Sequence, residues 1–159
     1  MIMKKHFAAI ACMTLLSAWA SAQVVVTAPW VRATVAAQNS TGAFMHLQSA
    51  KPIRLVQVGS SAAASVEMHQ MEMKQDIMRM QQVGGIDLPP GKGVNLASSS
   101  YHIMLMGLKQ QLKEGQTVDL TLVFQGPDQK REKVTLKVPV KPIGFVSPAG
   151  PGAMPHQGH

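Results

Sequence analysis

Cysteine is nearly absent. Of 159 residues only Cys12 carries a thiol, and it falls in a stretch that reads as an export signal. Lys4 and Lys5 form a short basic start, His6 to Trp19 is mostly apolar, and Ala20-Ser21-Ala22 is a small-residue cleavage pattern. That is the layout of a secretory signal peptide over residues 1–22, cut after Ala22, with an apolar run too short to span a bilayer comfortably. Ala9-Ile10-Ala11 before Cys12 resembles a lipoprotein box only weakly, so lipid attachment is the minor reading. The exported chain then has no disulfide and no thiolate ligand. In an oxidising compartment a free thiol is a liability, whereas a thioether stays usable.

Other scarcities exclude further classes. Acidic residues number only 8 against 15 basic ones, too sparse for paired-carboxylate catalysis, and no Ser-His-Asp or Cys-His set is readable. Losing Lys4 and Lys5 leaves 13 basic residues against 8, a net charge of +5. That balance suits solubility and an anionic partner surface, but the export signal argues against nucleic acid. No second hydrophobic run is long enough for a membrane span, and no apolar helical period exceeds two turns. There is no internal repeat. The 137 residues after Ala22 amount to one domain of ordinary size, and a monomer is expected.

What is present reads as strands. Val24 to Thr34 is rich in β-branched residues, with Pro29 at an edge or bend. Ala43 to Gln48, Ile53 to Val58, Ser65 to Met73 and Tyr101 to Leu108 follow. Val118, Leu120, Leu122 and Phe124 alternate, as do Val134, Leu136, Val138 and Val140. Gly84-Gly85, the run from Leu88 to Gly93, and Gly126-Pro127-Asp128 are turn signals. Seven or eight short strands predict an all-β antiparallel sandwich or barrel over residues 23–141. From Pro142 to His159 the composition shifts to Pro and Gly, which predicts a disordered tail, although Met154, His156 and His159 lie in it.

Methionine is the abundant residue. Seven of the 12 fall between Met68 and Met106, together with His69 and His102. On a strand, residues two apart share a face. His102 with Met104 and Met106, His69 with Met71, and Met78 with Met80 therefore project in pairs or rows. If the strands holding His69 and His102 lie close, two imidazoles and at least two thioethers converge. Such a set, without carboxylates, favours Cu(I) over zinc, calcium or magnesium. The competing reading is plastic core packing by methionine.

The spacing carries a resemblance. His69, ten residues, Met80, 21 residues, His102, Ile103 and Met104 reproduce H-x10-M-x21-H-x-M without a gap. PWVRATV at 29–35, TGAFMHL at 41–47 and YHIMLMGLKQQLKEG at 101–115 add to it. Over Val24 to Val140 the chain resembles the PCuA(C) family of periplasmic copper chaperones. The resemblance implies a cupredoxin-like Greek-key β-barrel. It implies Cu(I) ligation by His69, Met80, His102 and Met104, and a role in delivering copper to cytochrome c oxidase. The recipient would be the CuA centre of subunit II, alone or beside another copper-delivery protein. Met71, Met73, Met78 and Met106 lie outside the motif and are expected in the core or as an apolar rim, the alternative being a reserve of thioethers that shields the metal or eases its hand-over. Met45 and His46 are expected as sheet residues, and Trp30 and Tyr101 as packing residues, with Tyr101 a candidate wall of the site. Some family members carry His- and Met-rich C-terminal extensions, so Met154, His156 and His159 are candidate ligands for Cu(II).

A binding and delivery protein, not an enzyme, is therefore expected. A blue-copper electron carrier needs a Cys ligand, which the exported chain lacks. A copper-buffering or resistance protein would use the same ligands and is the alternative.

Overall fold

The computed structural model describes residues 24–148. The expected signal, and Met154, His156 and His159 of the expected tail, lie outside them. Ten strands form: β1 (Val24–Arg32), β2 (Ser40–Ser49), β3 (Ile53–Gly59), β4 (Ala63–Lys74), β5 (Ile77–Gln82), β6 (Ile86–Leu88), β7 (Val94–Leu96), β8 (Tyr101–Leu108), β9 (Thr117–Gln125) and β10 (Arg131–Lys141). No helix occurs among the described residues, so none there is long and apolar enough to cross a membrane. The architecture is all-β and cupredoxin-like, as expected. β6 and β7 fall where the sequence shows only Gly/Pro punctuation. Each is three residues long, too short to show a period in sequence.

The strands run in the order β5-β4-β8-β2-β1-β10-β9-β3-β6, with β7 on β2. All pairs are antiparallel except β1 with β10, which meet in parallel through Val31–Val140 and Arg32–Lys141 alone. That short seam joins a layer of β5, β4, β8, β2 and β1 to a layer of β10, β9, β3 and β6. Both layers contribute to one core.

Alternation builds that core. Val118, Leu120, Leu122 and Phe124 of β9 are all buried, as are Val138 and Val140 of β10. Opposite them, Met68 of β4, Ile103 and Leu105 of β8, and Ala43, Met45 and Leu47 of β2 are buried. Each large side chain so placed contributes about 1.5–3 kcal/mol. Because strand side chains alternate, the same packing throws Glu67, His69 and Met71, then His102, Met104 and Met106, then Gly42, Phe44 and His46, onto the outer face.

Two local features shape that face. β1 has a bulge between Thr27 and Trp30, where Ala28 takes φ 48° just before Pro29. This is the bend anticipated at Pro29, and it delivers Trp30 onto Phe44 with ring centroids 4.6 Å apart. At the sheet edge, β4 and β5 are joined by Gln75 and Asp76, both at positive φ (49° and 59°). A two-residue loop of that kind matches strand twist and locks the hairpin register.

The packed chain continues past Lys141. Arg32 donates from Nη1 to the Ile143 carbonyl at 2.9 Å, and Phe145 meets Trp30 edge-on with centroids 4.8 Å apart. Residues 142–148, which composition assigns to the start of the tail, thus lie against the outer face.

Candidate metal centre

Three strands assemble the candidate site. β4 and β8 pair so that His69 stands directly opposite His102, and Glu67 opposite Met104. β5 then pairs with the far edge of β4, setting Met80 opposite Met71. Two residues far apart in sequence are brought together by ladder register alone, which the buried Met68–Ile103 pair and the half-buried Val66 opposite buried Leu105 fix on the other face.

The two imidazole rings lie 5.9 Å apart, inclined at 59°. Both histidines are buried, at 8% and 4% exposure. Nδ1 of His102 donates to the Ser100 carbonyl at 3.3 Å, which leaves Nε2 with a lone pair. That Nε2 lies 3.2 Å from Met80 Sδ. Two lone-pair groups thus face one small space. Donors about 2.0 and 2.3 Å from a single tetrahedral ion sit roughly 3.5 Å apart, so the spacing already suits a shared soft cation. Burial pushes the His102 pKa below the usual 6.5, the Ser100 carbonyl opposes this, and His69 adds to the lowering. The result favours the neutral, ligating form.

His69 is held differently. Its Nε2 meets Glu67 Oε2 at 2.8 Å, and its Nδ1 is buried without a hydrogen-bond partner. A proton on Nε2 satisfies the carboxylate and leaves Nδ1 as an unused, buried lone pair. Glu67 is a candidate positioning residue for His69 that the sequence reading missed. Its signal was available in the E-x-H spacing, which puts carboxylate and imidazole on one face of a strand.

The methionines do not form a core. Met68 is buried, but Met71, Met104 and Met106 are half-buried, and Met73, Met78 and Met80 are 61%, 45% and 50% exposed. The apolar-rim expectation describes them and the core expectation does not. Tyr101 packs against the core from the other face of β8, so it is a packing residue and does not wall the site. Met45 is buried in the core, and His46 stands further along β2, opposite Asn95 of β7. Among the described residues no three His, Cys, Asp or Glu groups gather as a metal cage. What converges is imidazole and thioether, the donor set of a soft monovalent ion.

Fold and site together define a PCuAC-type domain. Residues 24–140 match the family described as "Putative lipoprotein LpqE-like", and the chain belongs to it. It is 38% identical over 104 residues to the "Putative lipoprotein Lxx21020" of Leifsonia xyli subsp. xyli, a match covering 64% of this chain and 61% of that protein. The chain thus matches about three-fifths of that relative's length. The copper-bound PCuAC domain from PmoF2 aligns with a TM-score of 0.62 at 25% identity, over 78% of this chain and 97% of that one. The CuI form of DR1885 from Deinococcus radiodurans aligns with a TM-score of 0.50 at 33% identity, over 77% and 83% of the two chains.

Proposed function

We propose that this protein is an exported, periplasmic copper chaperone that holds Cu(I) at His69, Met80, His102 and Met104. Its cargo would pass to the CuA centre of cytochrome c oxidase subunit II or to another copper-delivery protein. The observation that carries the reading is the direct cross-strand pairing of His69 with His102, with Met80 Sδ 3.2 Å from the His102 Nε2. Met104 shares the outer face of β8 with His102. The copper in the PmoF2 domain and the CuI of DR1885 support the same cargo here.

The residues suit a carrier. Thioethers are neutral and weakly basic, so neither methionine releases a proton when the ion binds. Only the two imidazoles couple binding to pH. The copper stays monovalent throughout. Transfer then requires that acceptor ligands replace the two sulfurs and the two imidazole nitrogens one at a time, each new copper–ligand bond forming as an old one breaks.

The test is an anaerobic Cu(I) competition titration against a chromophoric chelator. The parent should bind one equivalent, and His102→Ala should bind far more weakly while keeping its β-sheet circular dichroism. Equal affinity in the variant overturns the assignment. X-ray absorption should count two nitrogen and two sulfur neighbours. Copper transfer to a purified subunit II domain separates delivery from buffering.

Met154, His156 and His159 are proposed as an accessory Cu(II) capture segment. Support comes from Phe145, which seats the chain leading to them on the same outer face as the site. A chain stopped at Ser147 should bind less Cu(II) than the full chain, and equal stoichiometry would remove the idea.

A further inference from the structure

The β4–β5 hairpin has two unlike faces. On one, Gln70 pairs with Gln81, Glu72 with Arg79 and Lys74 with Ile77, a solvated surface, polar except for the exposed Ile77. On the other, Met71 pairs with Met80 and Met73 with Met78. Those four thioethers share the face of His69, because each lies an even number of residues from it or from its partner Gln82. They form a ladder of two rungs running from the histidines to the hairpin tip.

The outer rung has no packing explanation. Met73 is 61% and Met78 45% exposed, and all of β5 is exposed. A flexible thioether in water gains nothing as core filler, and an edge strand is normally blunted with charged side chains. The same strands use those residues on the reverse face. Apart from the core residue Met68, the sulfur of these strands therefore lies on the one side where a soft ion would pass.

Geometry permits the passage. Opposed residues in an antiparallel pair have Cβ atoms about 4.5–5.5 Å apart, so two Met side chains can close on a common ion. Successive rungs on one face are about 6.8 Å apart, a gap that Met side chains extending toward each other can bridge. Met80 belongs to the inner rung and also touches His102, which links the ladder to the site.

We propose that Met73 and Met78 form an outer Cu(I) station through which copper enters and leaves the histidine site by way of Met71 and Met80. This rests on the copper reading of that site. Each step is a ligand exchange: one Cu–S bond forms as another Cu–S or Cu–N bond breaks. The copper oxidation state does not change, and no proton moves because thioethers carry none.

The experiment compares the full exported chain with Met73→Leu/Met78→Leu. Leucine keeps apolarity and volume and removes only sulfur, so a purely hydrophobic role would survive. Exposed substitutions of this kind change stability by at most about 0.5 kcal/mol. First-equivalent Cu(I) affinity should stay within about twofold, while stopped-flow removal of copper by excess bicinchoninate should slow at least about tenfold, a barrier change of about 1.4 kcal/mol. In the parent, a second equivalent of Ag(I) should shift the Met73 and Met78 methyl resonances. Unchanged removal rates, or methyls indifferent to Ag(I), overturn the proposal. So does an affinity loss beyond about tenfold, about 1.4 kcal/mol, because it would put these sulfurs in the main site. If the parent itself failed to hold a first equivalent, the histidine-site reading would fall instead, and the methyl shifts would still judge the hairpin.

Discussion

Glu67 and His69 stand two residues apart on β4 and meet at 2.8 Å between Oε2 and Nε2. A metal-ligating imidazole usually offers its other nitrogen to a carboxylate or carbonyl, which fixes the tautomer and aims the lone pair. Here the carboxylate takes Nε2 and the buried Nδ1 stays free. His102 shows the converse arrangement, with Nδ1 on the Ser100 carbonyl and Nε2 free. Glu67→Ala should therefore lower Cu(I) affinity about 10- to 100-fold without loss of fold. Glu67→Gln keeps a carbonyl acceptor and should lose less. A chelator competition series checks both, and an unchanged affinity in Glu67→Ala would reduce the carboxylate to a surface contact.

The all-β class was legible because it depends on short-range regularities, whereas the four proposed ligands stand together in sequence only through the resemblance that the H-x10-M-x21-H-x-M spacing carries. His102 and Met104 share a face by alternation, and Val118 to Phe124 announce a strand by the same rule. The ladder register was not legible. Nothing local says that His69 faces His102 rather than Ile103, since a one-residue slip would reverse every side chain. Glu67 went unnoticed because a lone carboxylate beside an imidazole gains meaning only when the imidazole is known to be buried. The exposure of Met73 and Met78 was hidden because methionine by composition reads as core. The packing of Phe145 on Trp30 was hidden by the surrounding Pro and Gly, which advertise disorder.

Acid should weaken the metal-free protein in a defined window. The folded-state pKa of His102 lies below its usual 6.5, mainly through burial. Between that lowered value and 6.5 the unfolded chain binds more protons than the folded one, so stability rises with pH there. The contribution is complete above 6.5 and is lost as the pH falls toward the folded value. Thermal melts of the metal-free chain should show a falling Tm across that window. His102→Gln should flatten the dependence. A melt profile identical in parent and variant would mean that some group other than His102 sets the acid sensitivity.

Gly42 is expected to resist substitution. A Cβ built there comes within 2.5 Å of Phe44 Cζ and 3.0 Å of its Cε2. Phe44 has little room to yield, being buried and stacked on Trp30 at 4.6 Å. Gly42 is also the register partner of Met104, so the displaced ring lies beside the site. Gly42→Ala should cost about 1–3 kcal/mol in denaturant unfolding and alter the emission of Trp30. Cu(I) affinity should fall with it. A variant with parental stability and emission would show that Phe44 repacks freely.

Phe145 should act as the clasp that keeps the C-terminal segment on the sheet. Its ring meets Trp30 edge-on at 77°, and Lys141 Nζ lies 5.6 Å from its centroid. Arg32 completes the clasp, with its guanidinium 5.3 Å from the Trp30 ring and 5.4 Å from that of Phe44 while it holds the Ile143 carbonyl. Aromatic contacts of this type are worth about 0.5–1.5 kcal/mol beyond burial. Phe145→Ala should thus lower Tm by a few degrees and speed proteinase K cleavage within residues 142–148. It should leave Cu(I) affinity at the histidine pair unchanged, since neither β4 nor β8 touches the clasp through its ladder. Unaltered cleavage would mean that Arg32 alone secures the segment.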